Sequence, residues 1–152
     1  MKKIAILTIA ALCAPIAMNQ SYAAPYASQT ATGDALAESM IDYMDEYVTI
    51  LEGIYNQSTA DAAAPKLRIT TAKLDAVTTQ IEKVYRSGNA SVSPATEARL
   101  NQKMDTIMLR AERVIDKLVD KECYGSMPLI EALIETGLQL QEVGTRLERL
   151  GI

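Results

Sequence analysis

Histidine, phenylalanine and tryptophan are absent from this 152-residue sequence, and it has only two cysteines, seven glycines and five prolines. The missing histidine removes the commonest general base, the commonest metal ligand and the usual haem ligand at once. Two motifs that depend on it, Glu-x-x-His for a carboxylate di-iron centre and Cys-x-x-Cys-His for covalent haem, do not occur. Nor does a nucleotide-binding glycine loop or a Gly-x-Ser-x-Gly elbow. Most enzyme classes fall with these absences, and a non-catalytic protein is expected, without a cofactor. Tyrosine is left as the only aromatic core filler, and no segment alternates apolar and polar residues over a useful length. Strands are therefore not expected.

What is present starts with an export signal. Lys2 and Lys3 form a basic start, an uncharged apolar run extends from Ile4 to Met18, and Ser21 and Ala23 supply the two small residues that a leader peptidase reads. Cleavage after Ala24 would leave Pro25 behind the scissile bond, so residues 1–23 are expected to be the cleavable signal peptide. The protein is then exported, to the periplasm or outside the cell. The apolar run is shorter than the roughly 20 residues that a membrane span needs, and no later segment is longer. Cys13 does not make a lipid-anchor signal, because Leu12 precedes it where a small residue is wanted.

Removing the signal leaves 13 basic and 19 acidic residues, a net charge of −6. Nucleic acid is excluded as a partner on that balance, and no basic amphipathic stretch fits an anionic membrane. Only Cys123 survives cleavage, so no disulfide can form within the chain. Its thiol either fills a small apolar space, the preferred reading, or bridges two chains. A monomer or a homodimer is compatible with all of this.

The mature chain reads as a flexible lead over residues 24–33 and one helical domain over 34–152. In the first helix, Leu36, Met40, Tyr43, Tyr47, Ile50 and Ile54 keep to one stripe, with Thr32 or Asp34 as cap. The second stripe is Leu67, Thr70, Leu74, Val77, Ile81 and Val84, capped by Asp61, and Pro65 fits only near that start. Ser93-Pro94 opens the third helix, whose stripe is Leu100, Met104, Ile107, Ala111, Val114 and Leu118. Gly125 ends it. Ser126 caps a fourth, with Leu129, Leu133, Thr136, Leu140, Val143, Leu147 and Leu150 inward. The expected fold is an all-α, antiparallel up-down-up-down four-helix bundle. The alternative is a pair of helical hairpins that completes its core by dimerising.

Four groups of residues stand out beyond the core pattern. Asp34, Glu38, Asp42 and Glu46 form an acidic stripe with Asp45 and Glu52 beside it, read as a solvated or salt-bridged face complementary to the basic second helix. Tyr43, Tyr47 and Tyr55 can anchor an interface, but core packing is preferred. Gly137 and Gly144 cost roughly 1 kcal/mol each inside a helix, which either marks a groove or close approach on that edge or is a tolerated weakness. Met40 with Met44, and Met104 with Met108, are candidate thioether ligands for Cu(I), a soft ion for which histidine would not compete here. Methionine as gap filler is the competing account.

The run from Leu36 to Leu74 resembles the first hairpin of small periplasmic four-helix proteins of the cytochrome b562 kind. Met40 stands where those proteins have their haem methionine, but there is no histidine to match its partner. The resemblance therefore implies architecture rather than haem. The Asp61-Ala-Ala-Ala-Pro65 entry and the Tyr124-Gly125-Ser126 turn also resemble small exported bacterial all-α proteins of unassigned function. The function expected is a binding or structural module for an unknown protein or envelope partner, with a Cu(I) carrier as the alternative.

Overall fold

Three of the long helices begin where a side chain serves the amide groups that a helical start leaves open. The computed structural model describes the backbone of residues 27–88 and 91–150, and side chains from residue 33 onward. It has four long helices and no strand among the described residues: α1 (Ala27–Glu52), α2 (Gln57–Arg86), α3 (Pro94–Asp120) and α4 (Met127–Leu150), with a short turn at Glu122–Gly125. The expected signal peptide and its cleavage site lie outside the described residues.

Helix α1 begins at Ala27, so most of the stretch read as a flexible lead is helical and Asp34 lies inside the helix rather than at its cap. Helix α2 begins at Gln57, a turn before the expected start at Asp61. Asn56 takes the cap instead, its side chain accepting from the Thr59 amide (2.8 Å) while the Thr59 hydroxyl accepts from the Asn56 amide (3.1 Å). Pro65 consequently sits well inside α2. It lies on an exposed face, where water can serve the carbonyl left without a partner. Ser93 caps α3 with Pro94 next to it, as expected, and the buried Ser126 accepts from the Leu129 amide at the start of α4.

Between α3 and α4 the chain turns through Glu122, Cys123 and Tyr124 at φ 48°, 53° and 55°, followed by Gly125 at 73°. Left-handed backbone costs an ordinary residue about 1–2 kcal/mol. Cys123 and Tyr124 offset part of this by packing against the core. Cys123 is thus half-buried and has no disulfide partner among the described residues. Burial pushes its thiol above the usual range.

Ion pairs set the lateral order of the helices. Glu38 pairs with Arg99, Asp42 with Lys103, and Asp45 and Glu52 with Arg110, so α1 and α3 lie side by side in the same direction. Arg68 with Glu135, and Asp75 and Glu82 with Arg146, do the same for α2 and α4. Glu46 with Lys73 closes the α1–α2 hairpin (2.9 Å). The acidic stripe of α1 is therefore a salt-bridged face, but it is spent mainly on α3, not on α2 as the hairpin reading expected. In a bundle whose sequential helices are neighbours, α1 and α3 would face each other across a diagonal. Here they share an edge, so between Arg86 at the end of α2 and Ser93 before α3 the chain crosses from one side of α1 to the other.

That crossing explains two residues near the start of α1. Asp34 accepts from the Ser93 amide (2.7 Å), the Ser93 hydroxyl (3.0 Å) and the Thr96 hydroxyl (3.1 Å), so it steadies the N-terminus of α3 with a negative charge. Beside it, buried Gly33 lets the crossing segment come close, since a Cβ there would lie 2.1 Å from the Ser91 carbonyl oxygen.

Helix α1 touches both α2 and α3, and its buried face is accordingly wider than one stripe. Ile41, Met44, Val48 and Leu51 join Met40, Tyr47 and Ile54 in the core, whereas Leu36, Tyr43 and Ile50 are only half-buried. The α3 stripe is buried throughout except at half-buried Met104. Core polar groups are paired: Thr71, Thr78 and Thr136 donate to carbonyls one turn back, and Tyr47 bonds Thr136 across the bundle (2.9 Å). No buried side-chain polar atom among the described residues lacks a partner.

Candidate binding seam between α3 and α4

The sides of α3 and α4 can be assigned from their partners. On α3 the residues Arg99, Lys103, Arg110 and Lys117 mark the flank that meets α1, since Lys117 reaches the Ile54 carbonyl at the far end of that contact. At 100° per residue, Met104, Met108, Ile115 and Val119 then fall on the opposite flank. On α4, Glu135 and Arg146 mark the flank that meets α2. Ile130, Leu133, Ile134 and Gly137 fall opposite. These two remote flanks belong to helices that are consecutive in the chain, and they turn toward one another.

They do not close tightly. The extended backbone approaches of the fold join α1 to α2, α1 to α3 and α2 to α4, and none of them joins α3 to α4. Met104, Met108, Ile115, Val119, Ile130 and Leu133 are half-buried, while Ile134 remains 62% exposed. An apolar strip with a large exposed aliphatic at its rim is what an unfilled groove between two helices looks like. Gly137 fits this reading, because a Cβ added there would meet nothing within 4 Å. Gly144 is buried, further along the same edge.

Charge is segregated across α3. Arg99, Lys103, Arg110 and Lys117 are drawn to α1, and Asp105, Glu112 and Asp116 are left on the seam's outer lip. All three are exposed and make no ion pair among the described residues, and the same holds for Glu148 on the lip contributed by α4. The seam is apolar at its floor and acidic at its rim.

The structure buries Met40 and Met44 on the inner side of α1, and places Met104 and Met108 on the flank of α3 turned away from α1. Among the described residues no group of three or more Cys, Asp and Glu side chains is arranged to hold a metal ion. Tyr47 is buried, and burial pushes its hydroxyl above the usual tyrosine range. Tyr43 is half-buried with the Lys73 ammonium 5.4 Å from its ring centre, and Tyr55 is exposed at the end of α1. A hollow lined by Thr49, Ile50, Gly53, Ala62 and Lys66 carries one charged group and no acid–base pair. No helix among the described residues is long and apolar enough to cross a membrane. Comparison with protein-family models, with curated proteins and with solved structures finds no match to this chain.

The inter-helix ion pairs make stability depend on pH. Lys73 holds the Glu46 carboxyl below its usual range, against the opposing effect of burial, and Arg110 and Arg146 do the same for Glu52 and Glu82. A carboxyl lowered in the fold stabilises fully above its unfolded value, about 4.3, and loses that contribution as pH falls through the lowered folded value. Melting temperature should therefore be level from about pH 6 to 5 and decline below about pH 4. The variant Glu46→Gln/Glu52→Gln/Glu82→Gln should melt lower at pH 6 and show a shallower acid decline. Identical acid profiles for the two proteins would show that these pairs contribute nothing.

Proposed function

We propose that this chain is an exported, non-catalytic binding module whose working surface is the seam between α3 and α4. The observation that carries the reading is the half-open apolar strip of Met104, Met108, Ile115, Ile130, Leu133 and Ile134, where the other helix pairs are closed. A soluble domain gains about 25 cal/mol for each Å² of apolar surface it removes from water, so leaving such a strip uncovered is a cost that a partner would recover. The N-terminal pattern of Lys2, Lys3 and the apolar run to Met18 supports export, with Ala24 as the first residue of the mature chain. The sequence supports a non-catalytic role through its lack of histidine and of nucleophile motifs.

A photo-crosslinking residue in place of exposed Ile134, in the cells that make the protein, tests the reading. Adducts should form there and not from Ala76, which is exposed on the outer side of α2. Equal labelling from both positions, or none from Ile134, would remove the seam as the working surface.

A further inference from the structure

The floor and rim of the seam together specify what it can hold. The floor is a run of flexible and branched aliphatics along two helices, with methionines at 104 and 108, a side chain that adapts to irregular apolar partners. A groove between two helices is filled most simply by a third helix that lays its apolar stripe into it. The rim bears Asp105, Glu112 and Asp116 on one lip and Glu148 on the other, and Arg99, Lys103 and Arg110 of α3 are turned to the opposite flank and paired with α1. A second copy presenting this face would set acidic lip against acidic lip, and an anionic lipid surface would be repelled in the same way.

We propose that the seam takes a basic amphipathic helix of another protein: an apolar stripe on the floor, and lysines or arginines on both flanks meeting Asp105, Glu112, Asp116 and Glu148. The proposal rests on the binding-module reading and adds the chemistry of the partner. Complementary rim charge contributes chiefly to selectivity and to the rate of association, and both are weakened by salt.

The purified protein is titrated with three designed helical peptides that share one leucine stripe and differ in flanking residues: lysine, glutamine or glutamate. The lysine peptide should bind about tenfold tighter than the glutamate peptide at low ionic strength, with the glutamine peptide between them. The preference should shrink as salt is raised. In Asp105→Lys/Glu112→Lys, which changes only exposed positions, the order should reverse. Equal affinity for all three peptides, or an unchanged order in the double variant, would overturn the proposal, as would failure to bind any of them. A concentration-dependent dimer that excludes the peptides would assign the seam to a second copy and would overturn it as well. Adduct formation at Ile134 judges the binding reading separately: adducts there with no charge preference among the peptides would leave a working seam with a different partner.

Discussion

Leu140→Asp should abolish the cooperative thermal melt. Leu140 is 4% exposed on the inner stripe of α4, amid a core in which every buried polar side chain among the described residues already has its partner. An aspartate there has no cation to pair with and no water to solvate it, so the fold must open or keep the acid protonated. The cost is about 4 kcal/mol or more, a large share of the roughly 5–15 kcal/mol by which a domain of this size is stable. Circular dichroism on heating checks it, and a melt within a degree or two of the parent's would show that α4 does not contribute its stripe to the core.

How far the sequence revealed the fold can be judged from that same helix. Caps and stripes were legible where they are local: Ser93-Pro94, Ser126 and the run from Leu100 to Leu118 all stand as expected, because a cap needs only a neighbouring amide and a stripe only a 3.6-residue period. Two starts were misplaced for physical reasons. Asp61 is a good cap residue, but the reciprocal Asn56–Thr59 pair begins the helix earlier, and Asp61 is used by Ser126 instead. Asp34 has a capping side chain too, yet it serves the start of α3.

Lateral order was not legible. The acids of α1 and the bases of α2 and α3 are compatible with either pairing, and only three-dimensional packing decides that Arg99, Lys103 and Arg110 win most of them. The seam was not legible. Gly137 and Gly144 read either as a groove or close approach or, by preference, as a tolerated weakness, and Met104 read as a core residue because nothing in its spacing says that α3 and α4 stand apart.

Gly33→Ala and Gly137→Ala should act in opposite directions, though each adds one methyl group to a helix. At Gly33 the new Cβ would meet the Ser91 carbonyl oxygen at 2.1 Å and its carbon at 3.0 Å, backbone atoms that cannot rotate aside. The crossing segment must lift, which also strains the Ser93–Asp34 hydrogen bonds. A loss of about 1–3 kcal/mol follows, the usual cost of overpacking. At Gly137 the Cβ meets nothing, so the variant keeps the helical advantage of alanine and gains up to about 1 kcal/mol. Chemical denaturation measures both. A Gly33→Ala protein as stable as the parent would mean that the α2–α3 segment does not cross beside α1.

The account turns on α1 lying between α2 and α3, which is what leaves the α3–α4 edge open. In a Cys123→Ser background, Asp42→Cys/Lys103→Cys places thiols at two positions that form an ion pair between α1 and α3. A short bifunctional thiol reagent should join them rapidly within one folded chain. A pair at exposed positions of α2 and α3, Ala72→Cys/Glu112→Cys, should stay unlinked. Rapid linkage of α2 to α3 with none between Asp42→Cys and Lys103→Cys would contradict the arrangement and close the seam.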